Sequence, residues 1–487
     1  MPRAEPHTLI IGAGIGGLTV AALLLRAGRR VTVLESHVYP GGSAGTFFHK
    51  GFRFDAGATL AGGFSPGGPH ARLGELLGLE WPVRPADPAW VTHLPGLTVT
   101  QWADPAAWQA ERERAFPGSG GFWALQERLA DLAWDLSTRS FPWPPGSPRD
   151  LLRLAAALRP RTLAAAPYLF SSLGSLIPRS APPELTAFLD AQLIISAQTV
   201  SAQANALYAA AALDLPRRGV NHVRGGIGAL AHTLVEWIRA NGGQVHYRQA
   251  VEKIEPRGGQ AWRVKTRKGV EWEGDQIVAN LQPRALADLL GPAAPPALRR
   301  ESGRAPGWGA FMLYLGVDRR LIPPGLPDHH QVVVNPALPP GEGNTVFLSL
   351  SDPDDETRAP AGLRALTLST HTAVEDWWRA FRADPQAYAA RKEAYTQRCL
   401  DAAERALPGL RSALRLCLPA TPLTFQFYTR RPLGMVGGSP QTSLLRARGP
   451  RTGLPNLWLV GDAIFPGQST AGVTLGGMRV AAEILSH

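Results

Sequence analysis

The order of apolar and polar positions predicts a strand, a helix and a second strand at the start of the chain. Thr8–Ile11 and Val31–Leu34 are short apolar runs rich in β-branched residues, which is typical of buried strands. The mostly apolar run Leu18–Ala27 lies between them and predicts a helix, and the turn Gly12–Gly17 separates it from the first strand. We therefore predict that a βαβ unit opens the chain.

The pattern then changes several times along the chain. From Leu73 to about Pro216 the spacing of apolar residues is mostly helical, with proline-rich interruptions, and His329-His330 lies in a proline-rich stretch that resembles a loop. Further strands are predicted at Gln244–Tyr247, Val251–Glu255, Trp262–Thr266, Gln276–Asn280, Trp308–Val317, Gln331–Val334, Thr345–Ser349 and Leu457–Val460. Further helices are predicted at Leu230–Ile238, Val374–Ala406 and Val473–Leu485.

Composition adds the scale of the molecule and a positive charge. A chain of 487 residues is long enough for two domains, and 45% hydrophobic against 18% charged residues is compatible with some exposed apolar surface. Basic residues exceed acidic ones by 50 − 39 = 11. Such a charge attracts phosphate, nucleic acid or anionic lipid, although a general bias toward arginine codons explains it equally well.

Cysteine use and the N-terminal residues favour the cytoplasm. Cys399 and Cys417 belong to no cluster with metal-ligand spacing, so we predict neither a metal site nor a disulfide framework. Met1–His7 lacks the apolar segment of an export signal, and no apolar run reaches the length of about 18 residues that a membrane span needs. We expect a cytoplasmic protein that lies on the inner face of the cell membrane without crossing it.

Glycines at the first turn carry the strongest chemical pattern. Gly12, Gly14 and Gly17 form GxGxxG between the first strand and the first helix, which permits a tight turn, close approach of a pyrophosphate and close helix packing. Glu35 ends the second strand, where a carboxylate accepts hydrogen bonds from a ribose diol. These residues predict a dinucleotide site.

Two later glycine-rich segments indicate which dinucleotide is bound. Gly42 and Ser43 follow the acid closely, although glycine pairs are also common in surface turns. Gly461 and Asp462 follow the last predicted strand, and Gly472-Val473 opens the last helix, whose N-terminus is suited to the negative charge of a reduced flavin. The residues of these segments predicted to bind the cofactor are Gly42, Ser43, Gly461, Asp462, Gly472 and Val473.

Four segments resemble, in their order along the chain, the phytoene desaturase and carotenoid isomerase flavoprotein superfamily. They are the GxGxxG turn, Phe54-Asp55-Ala56-Gly57, the stretch from Arg224 to Leu230, and the stretch from Gly461 to Gln468. Ala58-Thr59 and Pro66-Gly67-Gly68 most resemble the carotenoid 3,4-desaturase branch. Ala463 and Ser469 depart from the superfamily, in which serine and glycine are usual at these two positions.

The resemblance implies FAD as cofactor and a polyene as substrate. Val251 would contribute backbone contacts to the adenine, although from its own chemistry it is equally a buried strand valine. The reaction implied is a carotenoid desaturation that forms a C=C bond, at the C-3,4 position in the branch named above. Cis-trans isomerisation and ketolation are alternatives on the same scaffold, and an amine oxidase or a flavin-binding protein without turnover are alternatives of another class.

The same resemblance divides the chain between two domains. We predict a discontinuous Rossmann-type FAD-binding domain from residues 1–75, 217–300 and 445–487, with an inserted α+β substrate domain from residues 76–216 and 301–444. The stretch Thr429–Gly434 would lie on the substrate side, where an arginine contacts the flavin or a polar end group, although a simple turn explains it almost as well.

Catalytic groups and partners are less determined. Asp55 and Asp462 are the acids nearest the flavin motifs, but cofactor binding explains both, so no catalytic base is assigned. Arg153, Arg159 and Arg161 lie beside several leucines and predict contact with anionic head groups, with a solvated face as the alternative. We expect a carotenoid substrate, a membrane surface, no nucleic acid, and oxygen or a quinone as electron acceptor.

Overall fold

A computed structural model of the chain describes residues 5–139, 141, 143–258, 261–302 and 307–486. The strands are β1 (His7–Ile11), β2 (Arg30–Leu34), β3 (Thr46–His49), β4 (Phe52–Asp55), β5 (Ala61–Gly62), β6 (Val83–Pro85), β7 (Trp90–Leu94), β8 (Leu97–Gln101), β9 (Val220–Val223), β10 (Gln244–His246), β11 (Val251–Arg257), β12 (Ala261–Thr266), β13 (Glu271–Gly274), β14 (Gln276–Ala279), β15 (Trp308–Asp318), β16 (His329–Val333), β17 (Thr345–Leu350), β18 (Leu363–Ala373), β19 (Leu414–Ala420) and β20 (Leu457–Leu459). The helices are α1 (Ile15–Arg26), α2 (Pro69–Leu77), α3 (Pro105–Ala115), α4 (Gly120–Ser137), α5 (Pro148–Ala157), α6 (Pro160–Leu163), α7 (Pro183–Ser196), α8 (Ala206–Leu213), α9 (Ala229–Ala240), α10 (Pro283–Leu290), α11 (Pro296–Ser302), α12 (Val374–Ala383), α13 (Pro385–Ala403), α14 (Leu410–Ala413), α15 (Pro422–Thr429) and α16 (Thr470–Leu485).

A parallel sheet collects strands from distant parts of the chain. Its order is β10-β2-β1-β14-β20, and every neighbouring pair in it is parallel. Helix α1 lies against α9 and α16, and Leu9, Ile10 and Leu18 are completely buried in the core that they share. Parallel strands covered by helices form the predicted Rossmann-type α/β fold.

A second sheet of seven strands has the order β19-β15-β18-β17-β16-β7-β8. It is antiparallel except where β16 pairs with β7. One face packs on α12 and α13 through the completely buried Trp377. The other face packs Met312 and Tyr314 against Phe52 and Phe54, and the Tyr314 hydroxyl donates to the Ala56 carbonyl oxygen at 2.7 Å. This second face is therefore turned toward residues 52–56, which include the start of the Phe54-Asp55-Ala56-Gly57 motif.

The structure corrects three predictions of secondary structure. The region predicted as mostly helical contains β6, β7 and β8, because Pro95-Gly96 forms a tight hairpin turn between β7 and β8, with Gly96 at φ +73°. His329 and His330 begin the buried strand β16 rather than lying in a loop, and each forms a side-chain hydrogen bond. The long helix predicted at Val374–Ala406 is two helices, because Asp384 caps α13 directly before Pro385.

Two of the recognised motifs meet at Asp55. Its Oδ1 accepts hydrogen bonds from the Thr46 hydroxyl at 2.7 Å and the Ile227 amide at 2.9 Å. Its Oδ2 accepts from the guanidinium of Arg358 at 2.8 Å, and both side chains are buried. A Cβ at Gly226 would lie 2.5 Å from Asp55 Oδ1, so this position requires glycine. The carboxylate connects the two motifs and is fully engaged in doing so.

Candidate functional site

The first glycine turn has the geometry that a pyrophosphate needs. Gly12 has φ +94°, and a Cβ at Gly17 would lie 2.6 Å from the Gly12 carbonyl oxygen. Gly14 caps α1 without a side-chain hydrogen bond, and the first turn of α1 contains no acidic residue. Backbone amides and the positive end of the helix dipole are therefore free to interact with phosphate charge.

Glu35 lies beside this turn, as the sequence predicted. The buried carboxylate accepts from the Ala13 amide at 2.7 Å through Oε2 and from the His37 amide at 2.7 Å through Oε1. The Ser36 hydroxyl also donates to Oε1, at 3.1 Å, so one of the about four acceptor positions of the carboxylate is left for a ribose hydroxyl. The two amides hold the acid at the end of β2, next to the glycine turn.

Gly42 and Ser43 lie in a short 3₁₀ turn against the same glycines. The Gly41 amide donates to the Ala13 carbonyl oxygen at 2.8 Å, and Gly14 and Gly41 form a parallel bridge. The Ser43 carbonyl oxygen accepts from the Ala58 amide at 3.3 Å. The structure thus brings both residues to the dinucleotide site.

Val251 lies farther away. It is the first residue of β11 and is partly buried. The segment before it runs beside Glu35, since the Gln249 amide donates to the Glu35 carbonyl oxygen at 2.8 Å and the Glu35 amide donates to the His246 carbonyl oxygen at 2.9 Å. The contact of Val251 with adenine stays a prediction. It is favoured by the segment before Val251, which runs beside Glu35.

Asn280 joins the first and last glycine turns and was missed by the sequence analysis. A Cβ at Gly14 would lie 2.3 Å from Asn280 Nδ2, and a Cβ at Gly461 would lie 2.7 Å from Asn280 Oδ1. Asn280 directly follows β14, at the same edge of the parallel sheet as the glycine turn. A polar residue at the carboxyl end of a central parallel strand was the signal that could have identified it.

The N-terminus of α16 returns to this edge. Gly472 and Val473 lie in its first turn, and the Ser469 hydroxyl accepts from the Gly472 amide at 3.0 Å. Ser469 has φ +79°, a backbone conformation that favours the glycine usual in the superfamily. A Cβ at Gly477 would lie 2.9 Å from the Gly16 carbonyl oxygen, so α16 and α1 cross in close contact.

Asp462 is held by an arginine from the stretch predicted to lie on the substrate side. Arg431 Nη1 donates to Asp462 Oδ2 at 2.8 Å, and Gln282 Nε2 donates to Oδ1 at 3.0 Å. Arg431 also donates to the carbonyl oxygens of Met435, at 2.8 Å, and Gly437. The arginine therefore positions the Gly461–Asp462 turn. It also fixes the loop of residues 435–438, which crosses this turn.

A group of polar side chains lies on the other side of this loop and was not singled out by the sequence analysis. We call it the Gln198 cluster, and its members are Gln198, Tyr208, His371, Gln441 and Gln468. The Gln468 side chain accepts from the Gly438 amide at 3.1 Å and donates to the Ser196 carbonyl oxygen at 2.7 Å. A Cβ at Gly467 would lie 2.8 Å from Gln441 Nε2 and 2.9 Å from the Tyr208 hydroxyl.

Burial changes the acid-base behaviour of two members of this cluster. It lowers the pKa of His371 to about 4, so the imidazole is neutral at neutral pH. It also raises the pKa of the Tyr208 phenol, with a further contribution from the charge of Asp462. Both side chains nevertheless keep part of their surface accessible.

Relatives with assigned activities match almost the whole chain. A chloroplastic prolycopene isomerase of Daucus carota is 29% identical, covering 99% of this chain and 80% of the relative. A hydroxyneurosporene desaturase of Rhodobacter capsulatus is 27% identical, covering 99% of this chain and 98% of the relative. The resemblance to the carotenoid desaturase and isomerase flavoprotein superfamily, predicted from the four motifs, is thus confirmed.

Solved structures show the same fold. The crystal structure of an oxidoreductase from Methanosarcina mazei superposes with a TM-score of 0.66 at 19% identity, covering 98% of this chain and all of the other. The profile of flavin containing amine oxidoreductases matches residues 15–485. The protein is an FAD-dependent oxidoreductase, and the chain belongs to the flavin containing amine oxidoreductase family.

Proposed function

We propose that the protein is an FAD-dependent carotenoid desaturase that forms a C=C bond, at the C-3,4 position of a polyene, in carotenoid biosynthesis. The observation that carries the proposal is the apolar face of the seven-stranded sheet, where Met312 and Tyr314 are buried against Phe52 and Phe54 and the neighbouring Phe347 keeps accessible surface. Phe347, partly buried on the same sheet, is in edge contact with Trp90. An apolar, aromatic wall of this kind suits a long hydrocarbon.

FAD, when bound, supplies the acceptor for a hydride from the polyene, while a proton leaves the neighbouring carbon. In this proposal the glycine turn and α1 hold the pyrophosphate, Glu35 holds the adenosine ribose, and the N-terminus of α16 faces the flavin ring. The electron acceptor that completes the cycle is oxygen or a membrane quinone. Anaerobic turnover that starts only when a quinone is added would select the second.

Carotenoid cis-trans isomerisation is the second candidate. It is favoured by the prolycopene isomerase of Daucus carota, which matches 99% of this chain. Isomerisation leaves the mass of the polyene unchanged, whereas desaturation removes two hydrogens. Product mass therefore separates the two reactions directly.

The test is incubation of the purified, FAD-loaded protein in liposomes with 1,2-dihydro or 3,4-dihydro carotenoids. A red shift of polyene absorption with the loss of two hydrogens supports desaturation. Unchanged mass with altered double-bond geometry supports the isomerase. Reduction of the flavin by an amine but by no polyene would contradict both and indicate an amine oxidase.

We further propose that α5, α6 and the residues after them rest on the cytoplasmic face of the cell membrane. None of the helices that the structure describes combines the length and apolar character needed to cross a membrane. Large apolar side chains are nevertheless exposed here, with Leu152 72% and Phe170 81% accessible. The exposed apolar residues are Leu151, Leu152, Leu158, Leu163 and Phe170.

Arginines accompany this apolar surface. Arg159 and Arg161 keep about 60% of their side chains exposed while they face Asp135. Leucines that enter the acyl boundary and arginines that meet anionic head groups are the features of an interfacial surface. Flotation with anionic vesicles tests it: Leu151→Ser with Leu152→Ser should release the protein, while Leu338→Ser, at another exposed leucine, should not. Equal flotation of all three proteins would contradict the proposal.

A further inference from the structure

His371 lies on the face of the seven-stranded sheet that is turned to the cofactor side. In β18 it pairs directly with Ala310 of β15, and Ser369 pairs with Met312. Opposed residues of antiparallel strands project to the same face, so His371 shares the face of Met312 and Tyr314. This places the imidazole along the apolar wall proposed to hold the polyene.

The loop that crosses the cofactor turn passes close to His371. The Val436 amide donates to the Trp308 carbonyl oxygen at 2.9 Å, beside the residue pair that contains His371. A Cβ at Gly438, on the same loop, would lie 2.1 Å from the Asp462 carbonyl oxygen. The loop therefore contacts both the strand beside His371 and the Gly461–Asp462 turn.

The Gln198 side chain contacts Nε2 of the His371 imidazole. Its Nε2 lies 3.2 Å from His371 Nε2 and donates to the Ile194 carbonyl oxygen at 3.4 Å. Gln198 is 4% exposed, and its Oε1 has no hydrogen-bond partner among the described residues. His371 Nδ1 also meets no partner in that part of the chain and belongs to a side chain with accessible surface.

An amide serves either neutral form of the imidazole. With its NH₂ group on Nε2, Gln198 leaves the ring proton on Nδ1. Half a turn of the amide brings Oε1 to an Nε2–H, which gives the unpartnered oxygen a donor and leaves Nδ1 with a free lone pair. A buried carbonyl without a partner is destabilising, so this second orientation satisfies Oε1 in exchange for the long 3.4 Å bond to the Ile194 carbonyl oxygen.

We propose that His371 is the catalytic base that accepts the proton released during desaturation, and that Gln198 is the positioning residue that holds its proton on Nε2. The inference rests on the proposed function. After the hydride has left one carbon for FAD, the C–H bond of the neighbouring carbon breaks. Its electron pair forms the new C=C bond and its proton bonds to His371 Nδ1.

A weak base is sufficient for this step. Once a hydride has left a polyene, the positive charge is shared along the conjugated chain and the neighbouring C–H becomes strongly acidic. A neutral imidazole in an apolar site accepts such a proton readily, and it returns the proton to solvent between turnovers. The low basicity that burial gives His371 keeps it unprotonated and ready over the neutral range.

His371→Gln and Gln198→Glu in the FAD-loaded, liposome-bound protein test the inference. Loss of the base should lower kcat roughly 10²- to 10⁴-fold in His371→Gln with KM and the flavin spectrum little changed. A carboxylate at position 198 can only accept from Nε2–H, so it should raise the pKa of His371 and move the acidic limb of kcat/KM upward by about one pH unit. The matched control is His93→Gln, which removes a partly buried histidine of the same sheet and should keep wild-type kcat.

A second measurement separates this inference from the proposed function. Reduced protein is mixed with the product polyene in D₂O, and deuterium is sought on the carbon that loses the proton. Incorporation that disappears in His371→Gln supports the base even where no net desaturation occurs. Wild-type kcat in His371→Gln overturns the inference. Loss of the absorbance of bound flavin in that variant overturns it as well.

Discussion

The two sides of the Gly461–Gln468 segment are built from different parts of the polypeptide. On the cofactor side the tightest contacts involve glycines, as in the 2.6 Å separation that a Cβ at Gly17 would have from the Gly12 carbonyl oxygen, and the side chain of Asn280 lies between two glycine turns. On the other side the contacts are made by side chains of the Gln198 cluster, such as the two hydrogen bonds of Gln468. A contact between backbone groups leaves almost no room for added volume. At a contact between side chains, one residue can be replaced by another of similar shape and different polarity.

The largest effect should come from adding volume to the backbone side. In Gly17→Val the new side chain meets the Gly12 carbonyl oxygen and Asn280 Cβ, at 2.6 and 3.0 Å from the Cβ position, so the turn must open and FAD should be lost from the purified protein. Flavin absorbance per protein measures the loss. Gly121→Ala is the control, since nothing lies within 4 Å of its Cβ position. Full FAD content in Gly17→Val would contradict the claim that the glycine turn on the cofactor side accepts no added volume.

A charge change on the same side should have the next largest effect. Glu35→Gln replaces an acceptor of two backbone amides by a group that offers one oxygen, so the Ala13 or the His37 amide loses its partner. Charge-assisted hydrogen bonds contribute about 1.5–3 kcal/mol, so the Kd for FAD should rise roughly tenfold to hundredfold in a fluorescence titration. Glu236→Gln, on the exposed face of α9, should leave the Kd unchanged. An unchanged Kd in Glu35→Gln would show that the ribose is held elsewhere.

A pH effect of intermediate size should come from His70, which packs on Phe64 under α16. Burial lowers its pKa to about 3, from 6.5 in the unfolded chain. The unfolded chain therefore takes up a proton, and the folded state loses stability, as the pH falls below about 6.5. At about pH 5 this cost is about 2 kcal/mol, and His70→Phe should remove it.

Urea unfolding at about pH 7 and about pH 5 measures this term. The fall in free energy of unfolding between the two pH values should be about 2 kcal/mol smaller in His70→Phe than in the wild type. The same fall in both proteins would mean that His70 is hydrated in the folded state. The outcome bears on the cofactor side alone, because His70 contacts Thr474 of α16.

The smallest effect should come from a single hydroxyl on the side-chain side. Tyr208→Phe keeps the ring and removes the hydroxyl that lies beside the Gly467–Gln468 backbone, at a cost of about 1 kcal/mol of stability. The Kd for FAD should change less than about twofold, because Tyr208 is not among the residues predicted to bind the cofactor. A loss of FAD comparable to that of Gly17→Val would show that the two sides are not independent.

Much of the cofactor side was predictable because its pattern is local. Glycine spacing, the apolar runs around it and the acid at the end of the second strand lie within a short stretch, and backbone geometry dictates which residues such a turn accepts. The strands β7 and β8 were missed for the opposite reason. Each strand has only five residues, and pairing with β16, far along the chain, is what holds β7 in a sheet.

The amino-acid sequence by itself determined the Rossmann-type turn, the FAD cofactor and the superfamily, since each depends on short motifs whose own residues are close together in the chain. Only the tertiary structure placed Asn280 between two glycine turns, paired Arg431 with Asp462 and assembled the Gln198 cluster. The members of that cluster come from five separate segments, and no sequence spacing relates them. Their common position follows from the sheet register and the packing of a loop, which are properties of the folded chain alone.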